Sequence, residues 1–226
     1  MSRGEQNFVK LPRFGASLYD RLTHIRAVET QVKEIAQDLC ARVKQGRLLD
    51  VGTGPGRVLL EIHKRNPQLE LCGLDIADAM VQLAKQNLAG IDVDLRQGNI
   101  RRTSYADDAF DLVTCTGSFY LWDYPEECLD EIHRILKKDR SAYLFETHRD
   151  YDGDEFRRAM RANLRQENLL QRMLTPIFLE KQLGMTYRTA EVAEIIKRTK
   201  FADSFTLEEI TLASMPVWLR ITLTKK

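Results

Sequence analysis

The stretch R-L-L-D-V-G-T-G-P-G-R, residues 47–57, decides how this chain folds. Leu48, Leu49 and Val51 make a short apolar run of strand type, cut off by Gly52, Gly54 and Gly56. Val58, Leu59, Leu60 and Ile62 then resume at helical spacing. A strand, a glycine turn and a helix in that order open an α/β unit whose bare backbone can approach a ligand where any Cβ would clash. Pro55 stiffens the turn, because its φ is fixed and it has no N–H to donate.

The spacing of the glycines separates ligand classes. A dinucleotide turn reads G-x-G-x-x-G, so counting from Gly52 the third glycine should fall on Arg57, and counting from Gly54 on Leu59. Neither is glycine. The G-K-[ST] of a phosphate-binding loop is also missing. What remains is D-x-G-x-G-x-G with Asp50 at the strand end. This argues against a pyrophosphate held at the turn.

That fingerprint resembles motif I of the class I (Rossmann-like) S-adenosylmethionine-dependent methyltransferases, and the following segments extend the resemblance. Leu69 to Asp75 reads as a second strand closed by Asp75, whose carboxylate could accept from both ribose hydroxyls and would repel a 2′-phosphate. Ala79, Met80, Leu83, Ala84 and Leu88 mark the next helix. In the family, residues at the positions of Ile76 and Met80 pack along the adenosine, although Met80 equally fits a plain core role. Val93 to Gln97 is a third strand leading to Gly98-Asn99-Ile100, which resembles motif II. There an acid contacts the adenine amine in the family, while here Asn99 stands in its place with an amide able to accept and donate.

Ala106 to Thr114 carries the F-D-x-V pattern as Phe110-Asp111-Leu112-Val113, ahead of Cys115-Thr116-Gly117-Ser118 and the aromatics Phe119, Tyr120 and Trp122. By resemblance this is the motif IV region, where backbone at Cys115 would face the methionine amine. Pro125 opens a helix ending in Lys137 and Lys138, and Ser141 to Glu146 is the fifth strand. The family's K-P-G-G turn before that strand is replaced by Lys137-Lys138-Asp139-Arg140. Thr189 to Lys200 reads as a last helix, and residues 205–210 and 216–224 as two closing strands.

The expectation is an α/β fold with a seven-stranded, mostly parallel sheet, helices on both faces and a helical cap insertion. Residues 1–226 would form a single methyltransferase domain, with residues 1–45 as N-terminal lid and helix and 149–186 as the cap. Leu22, Ile25, Val28, Val32, Ile35 and Leu39 give one apolar stripe from about residue 19. Resemblance implies that Phe14 to Asp20 folds over the cofactor, with Tyr19 near its methionine end. In the cap, Phe156, Met160 and Leu164 share one helical face, while Arg157, Arg158, Arg161 and Arg165 crowd another, either solvated or meeting an anionic substrate group. Leu169, Leu170, Met173, Leu174, Ile177, Phe178 and Leu183 would roof an apolar pocket or complete the core.

Hydrophobic residues at 43% can fill a core, and a net charge of +1 gives no electrostatic reason to expect nucleic acid. Cys40, Cys72, Cys115 and Cys128 form no C-x-x-C pair, which fits free thiols in a reducing cytoplasm better than a zinc site. No apolar h-region or membrane-length run is visible.

The resemblance is to the ubiquinone/menaquinone-biosynthesis-like subgroup and covers residues 19–224, specifically from 47 to 146. It implies methyl transfer from S-adenosylmethionine to an O, N or C atom of a small-molecule acceptor by in-line displacement. An RNA or protein methyltransferase, or a non-catalytic S-adenosylmethionine-binding protein, is the alternative. No membrane partner is expected, and a homodimer is left open. Tyr120 and His148, past the fourth and fifth strands, are candidate bases, with His148 also readable as a solvent-facing loop residue. Asp50, Gly52, Gly54, Gly56, Asp75, Ile76, Met80, Gly98, Asn99, Ile100, Cys115 and Tyr19 are the candidate cofactor residues, and no metal ligands are expected.

Overall fold

The computed structural model describes residues 25–226. Tyr19, the expected lid and the start of the first helix lie outside them. The elements are α1 (Arg26–Arg42), β1 (Arg47–Val51), α2 (Arg57–Arg65), β2 (Glu70–Asp75), α3 (Asp78–Asn87) and β3 (Val93–Gln97). After them come β4 (Phe110–Thr116), α4 (Pro125–Ile135), β5 (Leu136–Thr147), α5 (Gly153–Asn163), α6 (Leu169–Met185), α7 (Thr189–Ile196), β6 (Phe205–Leu212) and β7 (Met215–Thr224).

The seven strands form one sheet in the order β3-β2-β1-β4-β5-β7-β6. Strands β1 to β5 pair in parallel, and β7 runs antiparallel to both β5 and β6. The expected architecture is therefore observed. Strand order reverses between β1 and β4, which opens a crevice at their carboxyl ends, where open α/β sheets bind ligands.

The sheet is buried on both faces, so the central strands carry apolar residues continuously, with neighbours pointing to opposite sides. Leu48 and Phe145 join the core under α1 and α2, while Leu49, Val51, Val113 and Leu144 join the core under α4 and α7. Helix α1 buries Ile35 and Leu39, and α2 buries Leu59 and Ile62, all fully. Each such side chain contributes about 1.5–3 kcal/mol by leaving water.

Where the K-P-G-G turn would fall, residues 137–140 lie within β5 and contain no glycine. Asp139 takes φ 58°, a left-handed conformation that Asp tolerates better than most residues, and its N–H donates to Lys225 O at 2.8 Å. Strand β5 begins at Leu136, which pairs with Phe110, rather than at Ser141. Ala213 and Ser214, both at positive φ, make the tight turn between β6 and β7.

The cap region is helical as expected. Asp152 caps α5 by accepting from Asp154 and Glu155 N–H, both at 2.8 Å, and Asn168 caps α6 by accepting from Gln171 N–H at 2.9 Å. Pro176 lies inside α6, where it cannot donate to the preceding turn. Phe156, Met160 and Leu164 are buried as read from sequence. Helix α6 departs from that reading: Leu169, Leu170, Met173, Leu174 and Ile177 are 72, 61, 62, 40 and 67% exposed, and neither roof a pocket nor complete the core.

Candidate functional site

A cavity of about 1180 Å³ lies over the carboxyl ends of β1, β2 and β4. The site is built outward from the loop after β1. Gly52 and Thr53 N–H both donate to Leu74 O, at 2.8 and 3.1 Å, and lock this loop to the end of β2. Gly52 sits at φ +69°, and a Cβ there would fall 2.2 Å from Ser118 Oγ, so glycine is required on both counts. At Gly54 an added Cβ would meet nothing closer than 4.0 Å, leaving that backbone open. Gly56 is not on the cavity wall. It begins α2 at φ +80°, and a Cβ would fall 2.8 Å from Leu88, so its role is to pack α2 on α3.

Two carboxylates stand on this loop's floor. Asp75 is 9% exposed and accepts through both oxygens, from Gly54 N–H to Oδ2 at 2.8 Å and from Ala77 N–H to Oδ1 at 2.9 Å. Burial raises its pKa, and those two bonds oppose the rise. Each oxygen keeps a second lone pair for a hydroxyl. Asp50, 2% exposed, accepts only at Oδ2, from Thr53 Oγ1–H at 2.9 Å, and Oδ1 has no partner among the described residues. Burial pushes its pKa up to about 7, the Thr53 bond lowers it, and the charge of Asp75 raises it further. A buried carboxylate left half-satisfied is costly unless something cationic completes it.

The neighbouring wall comes from the residues that follow β2 and β3. Ile76 is 37% exposed on the cavity, and Met80 is on the wall while packing with Ala77 and Ala79. Gly98, Asn99 and Ile100 line the same side. The Asn99 amide oxygen already accepts from Arg101 N–H at 2.9 Å, which fixes its orientation and leaves one lone pair and the NH₂ group.

Beyond β4 the wall is made by Thr116, Gly117, Ser118 and Tyr120, and Cys115 is not part of it. Cys115 is fully buried in β4, with Sγ 3.1 Å from Ser118 Oγ. His148 also lies off the wall. It is 2% exposed rather than solvent-facing, because β5 runs on to Thr147 and the His148 N–H donates to Val217 O at 3.0 Å. Burial lowers its pKa, so the imidazole is held neutral. Tyr120, 6% exposed, does line the cavity.

Glu146 has a role that sequence reading passed over. It is 3% exposed, and its Oε1 accepts from Ser118 N–H at 2.7 Å and Phe119 N–H at 2.8 Å. This carboxyl pins the turn that presents Tyr120. Burial pushes its pKa up to about 8, against the two backbone bonds. The rest of the wall is mainly apolar and comes from α1, α5, α6 and β7, including Val32, Ile35, Phe156, Met160, Leu183 and Trp218. No cluster able to hold a metal ion is found among the described residues.

Comparison with known proteins agrees with this geometry. Residues 49–144 match a family profile described as a methyltransferase domain. A demethylmenaquinone methyltransferase of Deinococcus radiodurans is 36% identical over 92 residues, covering 40% of this chain and 38% of that protein. A ubiquinone/menaquinone biosynthesis C-methyltransferase of Geotalea daltonii is 30% identical over 129 residues, covering 54% and 55%. The chain thus spans 38% and 55% of the length of these two relatives. Among solved structures, a candidate S-adenosylmethionine-dependent methyltransferase of Methanococcus maripaludis superposes with a TM-score of 0.73 at 21% identity, covering 100% of this chain and 97% of its own. The plantazolicin methyltransferase BamL, solved with a substrate analogue and S-adenosylhomocysteine, gives 0.71 at 15%, covering 97% and 93%. Residues 49–144 thus resemble a methyltransferase domain, and the chain as a whole shares the fold of these solved structures.

Proposed function

We propose that this protein transfers a methyl group from S-adenosylmethionine to a small, largely apolar acceptor. The observation that carries the reading is the pair Asp50 and Asp75 at adjacent strand ends, with Asp50 Oδ1 lacking a partner among the described residues, beside an open glycine backbone and an apolar chamber. The donor set fits the cofactor. The unpartnered Asp50 oxygen suits an ammonium, Asp75 has lone pairs for ribose hydroxyls, and Ile76, Met80 and Ile100 offer faces for a purine. When bound, S-adenosylmethionine supplies a methyl carbon activated by a sulfonium, whose leaving group is a neutral thioether.

The protein's task is then alignment and exclusion of water. Glu146 holds the turn 118–120 against β5, and this orients Tyr120 on the chamber wall. Of the two candidate bases only Tyr120 lines the chamber, and it would take the acceptor's proton at Oη in its phenolate form, after giving up its own proton to solvent. Thr147 Oγ1 and Trp218 Nε1, on paired positions of β5 and β7, are buried without partners among the described residues and offer hydrogen bonds to an acceptor oxygen. The names of the relatives point to quinone-type acceptors, and an apolar chamber suits that class. The residues from 149 to 186 act as a cap within a single domain in this reading.

Calorimetric titration with S-adenosylmethionine, S-adenosylhomocysteine and NAD tests the cofactor. Binding of the first two and not of NAD is expected, and binding of NAD alone would overturn the proposal. Labelled methyl transfer to a panel of quinone and phenol acceptors then tests the acceptor class.

A further inference from the structure

Helix α6 is apolar on both sides. Its inner side gives Leu179 and Leu183 to the cavity, while its outer side exposes Leu169, Leu170, Met173, Leu174 and Ile177. Those five fall at i, i+1, i+4, i+5 and i+8, which is one continuous face of a helix. A contiguous apolar face of that kind on a folded domain marks a place where something docks. The charge of the two helices leans positive. From Gly153 to Met185 the chain carries Arg157, Arg158, Arg161, Arg165, Arg172 and Lys181 against Asp154, Glu155, Glu167 and Glu180. Arg157 is paired with Asp154 at 2.6 Å, and Glu167 is engaged by Arg26 N–H at 2.9 Å. Arg158, Arg161, Arg165 and Arg172 are exposed, with no carboxylate partner among the described residues.

We infer that the outer face of α6 docks on an anionic lipid bilayer, with the arginines of α5 and of the α5–α6 turn at the headgroups. An apolar helix face flanked by arginines binds by burying apolar side chains at the acyl boundary and by attraction to anionic lipid. No spanning segment is needed. This revises the expectation of no membrane partner, which rested on spanning segments alone, and no described helix is long and apolar enough to cross a membrane. Because the same helix walls the cavity, docking brings the chamber to the membrane surface, where an apolar acceptor would be drawn. That last step rests on the proposed function; the docking itself does not.

The test is cosedimentation of the full chain with vesicles of phosphatidylcholine alone and of phosphatidylcholine with phosphatidylglycerol. Binding should be about tenfold or more tighter on the anionic vesicles and should weaken as salt shortens the screening length. The double variant Met173→Asp, Ile177→Asp, at exposed positions off the cavity wall, should lose about tenfold or more in partitioning while keeping the wild-type melting temperature. Failure of the wild type to bind either vesicle would overturn the inference, as would undiminished binding by the variant. So would a wild-type dimer that the variant converts to monomer without vesicle binding, since the face would then serve a second copy. S-adenosylmethionine titration of the same preparations separates the two ideas: lost cofactor binding with retained docking strikes only the proposed function, and the reverse strikes only the docking.

Discussion

If Asp50 meets the ammonium of the donor, binding must be coupled to its ionisation. In the ligand-free protein, burial holds this carboxyl at about 7, so near neutrality half the molecules carry a proton there. A cation against Oδ1 favours the ionised form, so the proton must leave on binding. Affinity should therefore rise about tenfold per pH unit below 7, or about 1.4 kcal/mol per unit, and level off above it. An alkaline limb should follow as the donor's own α-amino group deprotonates near 8. Calorimetry with S-adenosylhomocysteine from pH 5.5 to 9, in buffers of different ionisation enthalpy, reads both the affinity and the protons released. Asp50→Asn should abolish the acid limb and weaken binding at pH 7.5 by about tenfold or more. An acid limb that survives in Asp50→Asn would refute the assignment, because another group, Asp75 first among them, would then be the one titrating.

Two further outcomes follow from geometry. Gly52→Ala places a Cβ 2.2 Å from Ser118 Oγ at φ +69° and should cost about 2–4 kcal/mol with loss of donor binding, whereas Gly117→Ala, at φ +65° in open space, should cost only about 1–2 kcal/mol; comparable denaturation midpoints would contradict this. For Glu146 the folded pKa of about 8 lies above its ordinary value of 4.5, so its stabilisation is complete below pH 4.5 and is lost as pH rises to 8; Glu146→Gln should flatten urea-derived stability across that window, and an unchanged pH slope would show that the carboxyl is not buried as described.

The part of the site formed by adjacent strand ends was legible in the sequence. Asp50, Gly52, Gly54, Asp75, Ile76 and Asn99 all reach the cavity, because a parallel α/β order forces successive strand tips to one edge. Features that depend on distant pairing were not legible. Glu146 reads as one polar residue at the end of a strand, and its partners Ser118 and Phe119 lie 28 and 27 positions away. His148 reads as a loop residue because nothing local says that β7, carrying Val217, covers it. Gly56 belongs to the motif by spacing and to helix packing by geometry. Leu169, Leu170 and Leu174 of α6 read as pocket roof or core, unlike Leu183 which is buried as read, because periodicity reports which residues share a face and not what that face meets.

The Ser118 hydroxyl occupies the space that a side chain at position 52 would need, so the loops after β1 and β4 share one volume. Any substitution that enlarges one loop has to be matched by trimming in the other, and a shift of the donor-side backbone is transmitted directly to the turn that carries Tyr120. The two halves of the crevice are therefore set together, and neither loop can be reshaped alone.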